Sequence, residues 1–271
     1  MHHTLAYVSL AFYAASLAGY AGFLYDEKAW MGRIAPVLLA GGVLTHYLAL
    51  MERSRWVHTV PYDDLYGSMS LFVWLLALTY LILEIWHRRP SVGAFVLPFI
   101  VVWQLALLIF APATPPPPPP GRGPMLALHI TMGILGYAAF ALSFILSVIY
   151  ILQSRVLRNR RPGRAFWRFP PLDVLDRMIR SSVWMGLAAS IAGLVLGLIW
   201  ERRLSGTYSA TDPKVLFTFM IIGLYGLYLW LGGLPAWRGP RAARFCALSF
   251  VLVLFSYTLV NLYMTGFHRY F

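Results

Sequence analysis

Cysteine is almost missing from this chain: Cys246 is the only one in 271 residues. A lone thiol permits neither an internal disulfide nor a Cys-x-x-Cys pair, so the protein cannot by itself carry out thiol exchange. Its place in an apolar stretch reads as a buried structural thiol. Acidic residues are scarce too, ten against 22 lysines and arginines. No two carboxylates fall together inside an apolar segment, so a carboxylate pair for acid/base work is lacking. Glu84 is the one acid well inside such a segment, where it snorkels or bonds a neighbour. Neither a glycine-rich phosphate loop nor a Ser/His/Asp arrangement with supporting context is present.

What the chain has is apolar length. It is 59% hydrophobic and 12% charged, with a mean hydropathy of +0.67, more apolar surface than a water-facing exterior can cover. Eight stretches approach the roughly 20 residues that cross hydrocarbon as a helix, near 4–25, 34–51, 66–86, 91–111, 124–152, 183–200, 214–233 and 245–265. The repetition, and the absence of Lys or Arg before the first stretch, argue against a single cleavable signal peptide. The expectation is an all-α membrane protein of eight transmembrane helices, one polytopic domain over 1–271. Spans one to four fill 1–111, a proline-rich outer loop 112–123, and spans five to eight 124–271.

The net charge of +12 does not indicate nucleic acid, because the basic residues sit between spans without interleaved aromatic platforms. Their distribution is topological. Alternate loops hold fifteen of them (Lys28, Arg33, Arg88, Arg89, Arg155, Arg158, Arg160, Arg161, Arg164, Arg168, Arg177, Arg180, Arg238, Arg241 and Arg244) against seven in the other set. The positive-inside rule then puts both termini on the outer, periplasmic side. With that orientation His46, near the end of the second span, His129, at the start of the fifth, and His268, after the eighth, share the outer level. Two imidazoles from opposite helices can hold a haem iron from both faces; any one of them alone reads first as a hydrogen-bonded interfacial histidine, and it is the three at one depth that point to iron. His2, His3, His58 and His87 lie at the terminus or in loops and receive no role.

Three connections carry further signals. Pro115 to Pro120 cannot form a helix and make a stiff polyproline II spacer, able also to dock an aromatic groove on a partner. After Pro170-Pro171, the residues Leu172, Leu175, Met178 and Ile179 recur at helical spacing, with Asp173/Arg177 and Asp176/Arg180 four apart. They predict a short amphipathic surface helix on the inner side between spans five and six, its apolar stripe in lipid or against the bundle. The outer loop from Trp200 to Lys214 offers Trp200 and Tyr208 to a flat ring and Arg202, Arg203 and Lys214 to carboxylates, although Asp212-Pro213 is also an ordinary helix start. Gly133/Gly136, Gly193/Gly197 and Gly223/Gly226 are expected to let helices approach closely.

The order of these pieces is itself informative. Leu128-His129-Ile130, Gly136-Tyr137-Ala138-Ala139-Phe140, Tyr150-Ile151-Leu152-Gln153-Ser154-Arg155, and Pro170-Pro171-Leu172-Asp173-Val174-Leu175-Asp176-Arg177-Met178 stand in sequence. Gly206-Thr207-Tyr208-Ser209-Ala210-Thr211-Asp212-Pro213-Lys214 and Gly266-Phe267-His268-Arg269-Tyr270 follow. Together they resemble the integral-membrane cytochrome c assembly family, most closely its HemX/YpjD-like branch, related to the CcsA and CcmC haem-handling proteins. The likeness covers residues 128 to 271.

It implies a multi-pass protein of the bacterial inner membrane that binds a non-covalent, b-type haem near the outer face. His129 and His268 would be axial ligands, and His46 a third candidate for iron. Other cytochrome c assembly proteins or membrane-complex subunits would be partners, besides membrane lipid. The departures are Tyr208 and Ala210 where haem-exporting members carry tryptophans, and Trp230 near where the CcsA branch has an intramembrane histidine. Two other classes stay open: a non-catalytic membrane anchor or regulatory subunit without haem, and a transporter of another small molecule, which would need charged groups and broken helices at the midplane.

Overall fold

In lipid only a helix or a closed barrel satisfies its own backbone, and the apolar runs of this chain fold as helices. The computed structural model describes residues 4–26, 28–58, 60–62, 64–111, 123–158, 169–206 and 213–263, with side chains described throughout except at 204, 205, 213, 214 and 256–263. Among these residues are eight α-helices: α1 (Thr4–Asp26), α2 (Ala29–Val57), α3 (Leu65–His87), α4 (Gly93–Ile109), α5 (Pro124–Arg158), α6 (Leu172–Ser205), α7 (Pro213–Leu231) and α8 (Pro240–Tyr263). Short 3-10 turns at Pro90–Val92 and Pro235–Trp237 lead into α4 and α8. Six stretches, α1, α2, α3, Pro90–Ile109, α5 and Leu172–Arg203 of α6, are long and apolar enough to cross a bilayer, and α7 adds the shorter Val215–Leu231. The chain is an all-helical, multi-pass membrane protein.

Side-chain contacts show which helix ends lie together. Thr131 Oγ1 near the start of α5 donates to the Tyr62 hydroxyl, in the α2–α3 connection, at 3.1 Å. Gln104 near the end of α4 donates to Ser9 near the start of α1, also at 3.1 Å. These contacts define one end of the bundle, called here the histidine end. At the opposite, arginine end, His87 closes α3 against Ser181 of α6 at 3.2 Å, and Arg180 Nη2 donates to the Gly232 carbonyl beyond α7 at 2.6 Å.

α1 is held by hydroxyls. Its buried stripe is Ala6, Ser9, Tyr13, Ser16 and Tyr20, spaced three and four apart. Ser9 meets Gln104, Tyr13 meets His46, Ser16 donates to the Ala35 carbonyl at 2.8 Å, and the Tyr20 hydroxyl donates to Glu84. Apolar contact gives helices in lipid little reason to associate, so interhelical hydrogen bonds and close packing decide which faces meet. Glu84 therefore bonds a neighbour instead of snorkelling, and only 4% of it is exposed.

The predicted surface helix between spans five and six does not exist as a separate element. Residues 172–182 are the first turns of α6, which runs unbroken through 34 residues. The ion pairs form as expected, Asp173–Arg177 at 2.9 Å and Asp176–Arg180 at 3.1 Å. Of the two seatings open to the apolar stripe, lipid or the bundle, Leu175, Met178 and Ile179 take the second and are buried in the bundle core. No proline or glycine interrupts residues 172–185, so nothing stops the helix between its amphipathic start and its apolar continuation.

Glycines set the α5–α6 distance. A Cβ at Gly136 would stand 2.5 Å from Ser190 Oγ, one at Gly186 2.5 Å from the Phe140 ring, and one at Gly193 3.2 Å from the Gly133 nitrogen. The expectation fails at Gly223 and Gly226, where a Cβ would meet nothing within 4 Å, because that side of α7 packs on no described neighbour. Gly136→Leu should accordingly cost about 1–3 kcal/mol through overpacking. Gly226→Ala should leave stability unchanged or raise it by up to about 1 kcal/mol through helix propensity. Thermal unfolding midpoints in detergent would separate the two, the first falling by several degrees and the second not falling.

Candidate functional site

His129 lies in the second turn of α5, a helix that opens at Pro124, where the missing N–H costs no intrahelical bond. Its half-buried ring crosses the narrow seam to α6. Nδ1 stands 2.8 Å from the Gly193 carbonyl oxygen. A carbonyl can only accept, so Nδ1 carries the hydrogen, and in the neutral ring the lone pair is at Nε2. Gly197, one turn further along α6, makes room: a Cβ there would lie 2.7 Å from Cε1 and 2.8 Å from Nδ1. This is the arrangement by which a backbone carbonyl fixes the tautomer and direction of a metal-binding histidine.

His46 has a different environment. It is 1% exposed, between α1, α2 and α3. Nδ1 lies 3.2 Å from the Tyr13 hydroxyl and Nε2 3.0 Å from Ser70 Oγ, so each ring nitrogen faces a hydroxyl. Tyr13 reaches it because Gly42 has no side chain; a Cβ there would sit 2.6 Å from the tyrosine ring. His46 and His129 are thus set in separate seams, α1/α2/α3 and α5/α6.

The α2–α3 connection at the same end is fastened by a buried charge that sequence reasoning missed. Arg53, 7% exposed, donates from Nη2 to both Asp64 carboxylate oxygens at 2.8 Å and from Nε to the Pro61 carbonyl at 3.1 Å. Its guanidinium lies 4.6 Å from the Tyr66 ring centroid and 5.7 Å from that of Trp56. Asp64 is also the N-cap of α3, accepting from the Gly67 nitrogen at 3.0 Å. Gly67 is obligatory, since a Cβ would collide with the Pro61 oxygen at 2.0 Å. Eleven residues separate the charged pair, a spacing with no helical or strand period to reveal it.

Of the other sequence candidates, Trp200 is half-buried three residues beyond Gly197, and Arg202 and Arg203 are exposed at the end of α6. The structure brings these three to the end of the seam that holds His129. Lys214 is the second residue of α7, with its side chain outside the described residues, and Tyr208 and His268 also lie outside them. Among the described residues no three or more His, Cys, Asp or Glu are grouped to hold a bare metal ion. Haem does not need such a group, since its own ring supplies four nitrogens and leaves one or two axial positions for imidazole.

Comparison with known proteins identifies the family. The sequence model of the family described as "Cytochrome C assembly protein" matches residues 62–268, which is most of the chain. The chain belongs to that family. Relatives agree with it: a protein named HemX from Brevibacillus brevis is 24% identical over 258 residues, 92% of each chain. Protein HemX from Bacillus subtilis (strain 168) is 34% identical over 137 residues, 51% of this chain and 50% of that one. Cytochrome c biogenesis protein CcsA from Prochlorococcus marinus subsp. pastoris is 27% identical over 250 residues, 83% of this chain and 79% of that one. In this cytochrome c assembly protein the matched region takes in the Arg53 partner Asp64, His129, and Gly193 and Gly197 of α6, and ends at His268.

Asp64→Asn retains a capping side chain but leaves the buried guanidinium without its counter-charge. We expect a loss of about 2–3 kcal/mol, below the full cost of breaking a buried pair because the Asp64 side chain is 21% exposed. Arg53→Met combined with Asp64→Asn should recover at least half of it. Equal midpoints for the single and double variants would show that the ion pair is not what holds the connection.

Proposed function

We propose that this member of the cytochrome c assembly family holds a non-covalent, b-type haem near the histidine end, with His129 and His268 as axial ligands. The observation that supports the reading is the Nδ1 contact of His129 with the Gly193 carbonyl, which fixes the tautomer and direction of the ring, Nε2 being the atom that would ligate iron. Bound haem would supply a redox-active or transferable iron porphyrin. The chain's part is to orient the imidazole through Gly193, to give it space at Gly197, and to flank the ring with Trp200 and Tyr208. Arg202, Arg203 and Lys214 are suited by charge to the propionates.

His46 is the third imidazole assigned to this level. Its nitrogens face Tyr13 and Ser70, and ligation would require giving up one of those hydrogen bonds, so the proposed pair excludes it. The topology that goes with this reading has eight spans, both termini on the periplasmic side of a bacterial inner membrane, and the arginine end inside. Haem handling in concert with other cytochrome c assembly proteins follows as the role, in keeping with relatives named for cytochrome c biogenesis.

The test is the absorption spectrum of detergent-purified protein with pyridine haemochrome quantification. The native chain should show a Soret band of a low-spin haem at close to one equivalent. His129→Ala and His268→Ala should each lower haem content or convert the spectrum to high spin, while His46→Ala should retain the low-spin form. Gly197→Val, which keeps every ligand, should also reduce occupancy by displacing the ring. Stoichiometric protein without any Soret band, copurifying with membrane partners, would support instead a haem-free anchoring subunit.

A further inference from the structure

The connection between α7 and α8 gathers charge that no acid among the described residues pairs with. α7 ends at Leu231, a 3-10 turn forms at Pro235–Trp237, and α8 begins at Pro240. Arg238, Arg241 and Arg244 are exposed along it. The sequence contains no acidic residue after Asp212, so these arginines have no acid on their own elements. The described acids of the same end are engaged elsewhere: Asp26 with Lys28 at 3.2 Å, Asp173 with Arg177, Asp176 with Arg180, and Glu84 with Tyr20. Arg241 donates from Nη1 to the Ala236 carbonyl at 2.9 Å and Arg244 from Nε to the Pro240 carbonyl at 3.2 Å. Each bond uses one of five guanidinium N–H groups and anchors the fork at the helix start.

Apolar side chains mark the depth of this elbow. Leu234 is 41% exposed and Trp237 37% exposed, with the tryptophan ring edge-on to Phe245 at 6.3 Å. An exposed Trp and Leu beside arginines, where two spans turn, is the composition of the boundary between acyl chains and headgroups. A soluble acidic partner would satisfy the charge and leave Trp237 and Leu234 in water. An anionic phospholipid satisfies both, its phosphate taken by guanidinium forks and its acyl chains lying against the apolar pair.

We propose that the α7–α8 elbow is a binding site for the headgroup of an anionic phospholipid, held by Arg238, Arg241 and Arg244 and seated against Trp237. The proposal is independent of haem binding and of the ligands of any iron. Preference should scale with the number of arginines, at roughly fivefold for each charge near an anionic headgroup.

The experiment is electron spin resonance of spin-labelled phosphatidylglycerol and phosphatidylcholine in phosphatidylcholine proteoliposomes containing the full chain. The native protein should immobilise the glycerol lipid preferentially. Arg238→Gln/Arg241→Gln/Arg244→Gln should lose most of that preference, and Arg88→Gln/Arg89→Gln, on a different connection of the same end, should keep it. Replacing the three arginines by lysine, which preserves charge and removes the planar fork, should give an intermediate value, so the site is tested even where the glutamine variant fails to fold. No lipid preference in the native protein, or full preference in the glutamine variant, would overturn the proposal. So would complete displacement of the label by excess inorganic phosphate, which would make the elbow a site for free anions.

Discussion

The distance between two backbones governs what this molecule can do at its histidine end. α5 and α6 approach closely because glycine occupies 136, 186 and 193 where larger residues would collide with the partner helix. Only at that separation can a side chain on α5 reach a main-chain oxygen on α6, and the His129 contact with Gly193 is the result. The same closeness would shut the ring out were Gly197 any larger. Packing and ring orientation are therefore one constraint here: Gly193 and Gly197, which direct the His129 imidazole, belong to the same glycine-lined seam that lets the helices touch.

Elsewhere in the bundle, polar groups do the joining. The hydroxyl stripe of α1, the His46 contacts with Tyr13 and Ser70, the Glu84 bond to Tyr20 and the Arg53 latch are all hydrogen bonds that tie one element to another. Such groups are costly to leave unpaired away from water, so each fixes a partner more sharply than apolar contact does. Cys246 joins this set modestly, donating to Ser143 at 3.4 Å, in keeping with an inert buried thiol.

Much of the architecture was legible in the chain because hydrophobic length is a strong, local signal. Each predicted apolar stretch falls in a helix, six of them long and apolar enough to cross a bilayer, with α2, α5 and α6 extending past their predicted limits, since polar residues such as Glu52 to Arg55 continue a helix readily once it leaves the apolar zone. The surface helix was misread for a related reason. Amphipathic periodicity identifies a helix, but it does not say whether the apolar stripe faces lipid or protein, nor that the helix stops where charge ends. Around His129, sequence reasoning found the ligand candidate and flagged Gly193 and Gly197 as a small face. It could not pair them, because the pairing depends on the register between two helices more than sixty residues apart. Arg53 and Asp64 left no periodic trace at all.

The unbroken course of α6 has a mechanical consequence. Thirty-four residues make a rod of about 51 Å, longer than the hydrocarbon is thick. It carries Arg180, fastened to the Gly232 carbonyl, toward one surface and the Gly193 carbonyl beneath His129 toward the other. The arginine-end clasp and the carbonyl that aims the His129 imidazole therefore belong to one uninterrupted element.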